Sequence, residues 1–317
     1  MSEGAALGAR LRAGEHSAAP AALNLLESTT AADRAQAAAL LSEVSPAMLG
    51  HEAPGHIVGV TGPPGAGKST LLSALLHTWR EREETVAMLA VDPSSRRSGG
   101  SLLGDRPRID FAPADAGVFI RSTAAGERLG GLAWGTRAAA QALAAAFDVV
   151  VIETVGVGQA ETDIADVADT VAVIVQPGSG DVLQFLKSGI MEIPDVLVVT
   201  KADLGQVAIS ARRDLSAALR SLGSRATPVV AVSSLPPAQG IEELAAALEE
   251  HRAGLDLPER RLHARRAGAL EDFANEHGER GLRALGGRTA ARRWLAEQDP
   301  TLDEATLVAS LEEGMGR

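Results

Sequence analysis

From His56 onward the chain alternates two hydrophobic rhythms. Short runs of β-branched and aliphatic residues occur at Ile57–Val60, Thr85–Val91, Val118–Ile120, Val149–Ile152, Val171–Val175, Val196–Val199 and Val229–Val232. Between them lie stretches of helical length whose apolar positions recur three or four residues apart. Runs that are apolar at every position predict strands buried on both faces, as in a parallel sheet covered by helices. The predicted fold class is therefore α/β, a doubly wound, mostly parallel sheet of seven strands. Residues 1 to about 50 are rich in Ala and Leu, with Ser28-Thr29-Thr30 and Ser45-Pro46 as helix ends or caps, and predict two or three short helices. Beyond about residue 255 the strands stop, and a charged helical tail follows with breaks at Gly286-Gly287 and Asp299-Pro300. The expected organisation is an N-terminal helical extension (1–50), a central α/β domain (51–255) and a C-terminal helical arm (256–317). The tail's apolar positions read as too sparse for an independent core, so it is either a surface elaboration or an arm that completes its burial on another chain.

Composition narrows the function classes. The chain has 317 residues, 45% of them hydrophobic, enough for one large domain with accessory helices. Its longest apolar runs fall far short of the roughly 20 residues that cross a bilayer, and no signal-peptide pattern opens it, so a cytoplasmic protein without a membrane partner is expected. The absence of cysteine excludes disulfides, thiolate catalysis and Cys-based metal sites. A net charge of −11 argues against a nucleic-acid partner.

Among thirty Lys and Arg residues only three are lysines, and two of them occupy positions that a guanine-nucleotide site demands. Ile57-Val58-Gly59-Val60-Thr61 runs into Gly62-Pro63-Pro64-Gly65-Ala66-Gly67-Lys68-Ser69-Thr70, after which Leu71, Leu72, Leu75 and Leu76 recur at helical spacing. Strand, glycine loop and helix in that order let backbone N–H groups turn onto phosphate oxygens at a helix N-terminus. Lys68 is then the group that reaches the β and γ phosphates, and Ser69 a Mg²⁺ ligand. Asp92 closes the second predicted strand and Glu153 the fourth, carboxylates at strand C-termini where a phosphate-bound metal sits. Glu153-x-x-Gly156 stands where an Asp-x-x-Gly element would place a glycine N–H within reach of a γ-phosphate. Thr200-Lys201-Ala202-Asp203 resembles the Asn-Lys-x-Asp base-reading element. The Asp203 carboxylate can accept both the N1 and N2 protons of guanine, which selects GTP over ATP. Ser233, Ser234 and Leu235, in the next loop, are expected to support the base.

With those elements in place the chain resembles the MeaB/ArgK family, which includes the methylmalonic aciduria type A protein. The resemblance rests on Gly62 to Thr70, on Val91-Asp92-Pro93-Ser94-Ser95 running through Ser98 to Asp105-Arg106, and on Glu153-Thr154-Val155-Gly156-Val157-Gly158-Gln159. It continues through Pro177-Gly178-Ser179-Gly180-Asp181 to Lys187 and through Lys201-Ala202-Asp203, covering most of residues 20 to 250. It implies a P-loop GTPase that chaperones an adenosylcobalamin-dependent acyl-CoA mutase such as methylmalonyl-CoA mutase, with a cobalamin adenosyltransferase as a further partner. It also implies a homodimer built through the C-terminal helices, and three switches near Ser94–Arg108, Val155–Thr162 and Pro177–Lys187. The switch residues singled out are Gly156, Gln159, Asp181 and Lys187; Asp105 joins Asp92, Glu153 and Ser69 around the metal, and Lys68, Asp105 and Glu153 form the catalytic set. The expected cofactor is Mg²⁺ with GTP or GDP, with no tightly bound organic group. No glutamine directly follows Gly156, so slow intrinsic turnover and stimulation by a partner are expected. Two departures stand out: Thr200 replaces the usual Asn, which predicts weaker nucleotide affinity with guanine preference retained, and Pro194 precedes Asp195. The rival readings are a kinase, a nickel-inserting GTPase and a nucleotide-binding module without hydrolysis. His51 and His56, five residues apart, read as loop histidines without a metal role.

Overall fold

The computed structural model describes residues 1–28, 30–92, 109–111, 115–124, 134–154, 163–178, 194–221 and 227–315. Its chain divides into two compact units, one of residues 56–132 and 148–255, the other of residues 1–55, 133–147 and 256–317.

The first unit is built on seven strands: β1 (His56–Thr61), β2 (Val86–Asp92), β3 (Val118–Ala124), β4 (Val149–Thr154), β5 (Thr170–Val175), β6 (Val196–Val199) and β7 (Val229–Ala231). All neighbours run parallel, in the order β3-β2-β4-β1-β5-β6-β7. The seven predicted strands are all present. The differences are at the ends, chiefly at β3, which continues past Ile120 through Arg121-Ser122-Thr123 because the β2 ladder carries these polar residues on to Ala124. Every residue of β1, β4, β5 and β6 is buried, the physical reason their sequence lacks a polar face. On one side, Val58, Val60, Val151, Ile174 and Val198 form a continuous core with Leu71, Leu72, Leu75, Leu76 and Trp79 of α5 (Lys68–Glu81). Ile241, Leu244 and Leu248 of a later helix, Ile241–Ala253, complete that layer. Burying each such side chain contributes roughly 1.5–3 kcal/mol, so the helix that carries Lys68 and Ser69 is anchored by its leucines rather than by its polar start.

The second unit is helical. It begins with α1 (Glu3–Arg12), α2 (Ala19–Leu26), α3 (Ala31–Glu43) and the single turn α4 (Pro46–Leu49), more helices than the two or three expected, because Pro46 starts a turn of its own after Ser45. Gly4 and Gly8 bring α1 against α3: a Cβ at either would fall 1.9 Å from the Gln36 carbonyl oxygen and 2.5 Å from that of Leu40. This unit also takes in α6 (Trp134–Leu143), which lies between β3 and β4 in sequence. With α7 (Gln206–Ser221) and the 241–253 helix, α8, assigned to the sheet unit, the tail forms α9 (Leu257–Ala284), α10 (Arg288–Glu297) and α11 (Glu304–Met315). The breaks at Gly286-Gly287 and Asp299-Pro300 fall between these helices as expected.

The tail's apolar residues, read in sequence as too sparse for a core, meet one another across the three helices: Leu270, Phe273, Leu282, Leu295, Leu307 and Leu311 are buried together. Spacing within one helix underestimates a core to which three helices contribute four, two and two buried residues. Within the same unit Arg261 donates to the carbonyls of Ala53 and Gly55, both at 2.6 Å, and Arg265 forms a two-pronged pair with Glu52 at 2.8 and 2.9 Å.

Candidate functional site

The C-terminal ends of the central strands gather the predicted motifs. β1 leads straight into the glycine loop, and α5 begins at Lys68. Two loop glycines adopt left-handed backbone, Gly65 at φ 77° and Gly67 at φ 91°, with open space where a Cβ would project. Gly62 is constrained differently: a Cβ there would lie 2.5 Å from the Ile174 carbonyl oxygen on β5. The loop therefore needs glycine at all three positions for conformation, and at Gly62, whose φ is 149°, for close approach to the neighbouring strand as well. Lys68 is buried, and its Nζ donates to the Gly62 carbonyl at 2.7 Å and the Pro63 carbonyl at 3.2 Å, folded across the concavity of its own loop.

The base-reading element arrives from two strands away. Thr200 follows β6 and is buried; its hydroxyl donates to the Ala66 carbonyl at 2.7 Å, with the Val175 carbonyl a longer contact at 3.4 Å. Lys201 takes left-handed backbone (φ 54°), uncommon for a residue with a side chain, and its Nζ reaches the Gly65 carbonyl at 3.3 Å. Asp203 is exposed, and one of its carboxylate oxygens accepts from the Ser233 hydroxyl at 3.1 Å. The Ala202 N–H donates to the Val232 carbonyl at 2.9 Å, which holds this loop against the one that carries Ser233, Ser234 and Leu235; Leu235 is exposed. The base-reading loop and the glycine loop, 134 residues apart at this contact, are joined by the Thr200–Ala66 bond. Sequence reading treated Thr200 only as a departure from the usual Asn. Nothing local signals its bond to Ala66, because that contact exists only once β5 and β6 lie beside β1.

Glu153 sits one residue before the end of β4, opposite Val60 of β1 and Ala90 of β2, and only 3% of it is exposed. It lies two residues beyond Val151, hence on the sheet face that α5 covers. Asp92 closes β2 in the same register class as Ala90, with its side chain outside the described residues. The Ser69 hydroxyl in the first turn of α5 and the Glu153 carboxylate near the end of β4 are both oxygen donors, the chemistry that a hard divalent cation such as Mg²⁺ takes. Asp105, Gly156, Gln159, Asp181 and Lys187 lie outside the described residues, as do most of the three switch segments.

His56 corrects its sequence reading as a loop residue: it opens β1, is buried, and places Nε2 2.8 Å from the Thr170 hydroxyl, which His251 Nδ1 approaches at 2.9 Å. His251 in turn faces Asp195 at 3.2 Å. This chain runs along the N-terminal ends of β1 and β5, the edge opposite the glycine loop, and ties strands together there. His51 is exposed.

Comparisons with known proteins agree with this geometry. A family model described as methylmalonyl Co-A mutase-associated GTPase MeaB matches residues 3–280. A putative GTPase of Pyrococcus abyssi is 41% identical over 272 residues, covering 83% of this chain and 81% of its own. A mitochondrial methylmalonic aciduria type A homolog of Mus musculus is 36% identical over 247 residues, 73% of this chain and 59% of that one. Among solved structures, that of a LAO/AO transport system kinase superposes with a TM-score of 0.67 at 28% identity over 100% of this chain and 99% of that one. A parallel sheet that presents a glycine loop and a Lys-x-Asp loop at one edge, matched by this family model across most of its length, places the chain in the MeaB family of P-loop GTPases.

Proposed function

We propose that this GTPase is a chaperone of an adenosylcobalamin-dependent acyl-CoA mutase, and that its GTP cycle gates the loading or protection of the mutase's cobalamin. The observation that carries the nucleotide half of this reading is the Thr200–Ala66 hydrogen bond, which couples the phosphate loop to the base loop. The family match and the methylmalonic aciduria type A relatives support the partner half.

In this reading the N–H groups of Gly62 and of Gly65, Ala66, Gly67, Lys68, Ser69 and Thr70 surround the phosphates, while Pro63 and Pro64, which have no N–H, shape the loop. Lys68 exchanges its two neutral carbonyl acceptors for the β and γ phosphate oxygens, a charge-assisted and therefore stronger bond. Asp203 receives the guanine N1 and N2 protons while the Ser233 hydroxyl holds the carboxylate in place; Ser234 and Leu235 flank the base, and Lys201 lies along its side. Ser69, Asp92, Asp105 and Glu153 hold Mg²⁺, which when bound supplies neutralisation of the β,γ-phosphate charge. Burial of Glu153 sets its carboxylate in a low-dielectric surrounding, where its attraction for a bound cation is stronger than in water. Gly156, Gln159, Asp181 and Lys187 belong to the segments that respond to the γ-phosphate. With no glutamine directly after Gly156, basal turnover is slow and the mutase accelerates it. A homodimer through the 256–317 helices and a cobalamin adenosyltransferase as second partner complete the proposal.

The test is hydrolysis of GTP and of ATP with Mg²⁺, each with and without a purified cobalamin-dependent mutase. GTP-selective turnover that the mutase stimulates is the expected result. Turnover that no mutase changes removes the chaperone role, and labelled γ-phosphate appearing on anything but water turns the assignment toward a kinase. The nickel-inserting alternative has no support at the nucleotide edge: among the described residues, the His and carboxylate group with ligand spacing is Glu276, His277 and Glu312, in the helical unit.

A further inference from the structure

Both hydrogen-bond donors of Thr200 are engaged inside the protein. Its backbone N–H donates to the Val175 carbonyl at 3.1 Å, and its hydroxyl to the Ala66 carbonyl at 2.7 Å. A hydroxyl has a single proton, so the 3.4 Å approach to the Val175 carbonyl adds no second donor. Thr200 is 3% exposed and Ala66 1%, which keeps water from replacing either partner. The surrounding donors are committed too. The Ala202 N–H donates to the Val232 carbonyl at 2.9 Å, the Ser233 N–H to the Gln239 carbonyl at 3.0 Å, and the Ser233 hydroxyl to Asp203 at 3.1 Å. The Lys201 ammonium lies 3.3 Å from the Gly65 carbonyl. Among the described residues the N–H groups of Ser234 and Leu235 enter no backbone bond, and they stand on the loop that Ser233 ties to Asp203.

Guanine offers two kinds of donor, N1–H and the N2 amine, and two acceptors, O6 and N7. With the donors on Asp203, O6, which neighbours N1, is on the side of Ser234 and Leu235. The five-membered ring is turned the other way, because its N9 carries the ribose and the phosphates lie at the glycine loop. Thr200, bonded to Ala66 of that loop, stands between Asp203 and the phosphates and so on the N7 side. Its hydroxyl has no proton left for N7. Turning that proton to the base would leave the buried Ala66 carbonyl without a partner, which costs at least as much as the new bond contributes. An asparagine in this place would carry two N–H groups on one amide, one for Ala66 and one for N7.

We infer that this GTPase reads guanine through N1, N2 and O6 and does not read N7, so that guanine nucleotides with no acceptor at position 7 are ligands equal to the natural ones. The inference rests on the guanine reading of Asp203 given above. Thr200 then acts as a tie between the base loop and the glycine loop, and its single proton sets which atoms of the base are recognised. The choice of guanine over adenine is untouched, because N7 is an acceptor common to both purines and carries no information that separates them. What is given up is one hydrogen bond to the base.

The experiment is titration calorimetry of the full-length protein with GDP, 7-deaza-GDP and ADP in the presence of Mg²⁺, none of which has a γ-phosphate to lose. In 7-deaza-GDP a C–H replaces N7 and the rest of the base is unchanged. Wild type is expected to bind GDP and 7-deaza-GDP within about twofold of each other. Thr200→Asn should bind GDP about two- to tenfold more tightly than 7-deaza-GDP, the worth of one neutral hydrogen bond, and Thr200→Ser should keep the wild-type parity. A wild type that binds 7-deaza-GDP more than about twofold less tightly than GDP overturns the inference and leaves the guanine reading intact. Parity in Thr200→Asn as well as in wild type shows that position 200 does not face N7, and also overturns it. If Thr200→Asn does not fold, the wild-type and Thr200→Ser ratios decide. Wild type that binds ADP as tightly as GDP defeats the guanine reading, and the inference falls with it.

Discussion

Arg137 is the side chain whose removal most directly tests the energetics of the helical unit. It projects from α6 with only 6% of its side chain exposed, and its guanidinium meets Glu304 of α11 at 3.2 Å and Glu271 of α9 at 3.2 Å, with a short contact to Asp272. Burial pushes the Glu304 carboxyl up to about 8; the Arg137 charge opposes that rise and the hydrogen-bonded Asp272 carboxylate reinforces it. Burial thus favours the neutral form of Glu304, and the ion pair that the substitution breaks most directly is Arg137 with Asp272. Replacing Arg137 with Met keeps most of the volume and strands the Asp272 carboxylate, 15% exposed, without its cation. Breaking a buried pair in this way costs about 3–5 kcal/mol, against a whole stability of roughly 5–15 kcal/mol for an ordinary domain. Hydrogen exchange read by mass spectrometry should show α6, α9 and α11 peptides exchanging roughly two to four decades faster, with the β1 and β5 strands much less affected. The double variant Arg137→Met/Asp272→Asn should recover most of the loss. Helices that stay protected within a factor of about ten, or a double variant no better than the single, would refute the argument. The same cluster sets a pH dependence. Because the folded value of Glu304 lies above its ordinary 4.5, the native state holds a proton that the unfolded chain releases. That contribution is complete below about pH 4.5, declines as pH rises, and is gone above about 8. Glu304→Gln should remove this slope while folding normally.

Three further outcomes concern the nucleotide edge. Asp203→Asn should weaken GTP binding about 10- to 150-fold and leave ATP binding unchanged, since a hydrogen bond to a charged group contributes about 1.5–3 kcal/mol; competition titrations that keep the wild-type GTP-to-ATP ratio would contradict the base-reading role. Thr200→Val removes the donor to the Ala66 carbonyl and should lower GTP affinity up to about tenfold with guanine preference intact, whereas Thr200→Ser restores it. Gly62→Ala should abolish measurable nucleotide binding, because the added methyl meets the Ile174 carbonyl at 2.5 Å; retention of binding within a few-fold would show that β5 can yield.

Much of the nucleotide edge was legible in the chain because its chemistry is local. The glycine loop is contiguous and flanked by its own strand and helix, and the buried strands announce themselves by lacking any polar face. Glu153 and Asp92 were placed at strand ends by the same signal. What escaped were partners brought in from other strands: Ile174 behind Gly62, Ala66 beneath Thr200, and the hydroxyl of Thr170 that draws His56 into the β1 edge. Each depends on the order β4-β1-β5-β6, which no run of residues encodes by itself.

The helical regions show the same division more sharply. Sequence alone determined that both ends are helical and where the tail breaks, since caps, glycines and prolines act within a turn or two of themselves. It could not reveal that α6 leaves the sheet unit to which its position assigns it. That placement comes with packing against α2 and α3 and with an arginine on α6 whose carboxylate partners stand 134 to 167 residues further along. Nor could spacing along one helix show that the tail has a core of its own, because the leucines that fill it become neighbours only when α9, α10 and α11 fold back on one another. Periodicity reports which face of an element seeks burial; only the tertiary structure decides what that face meets.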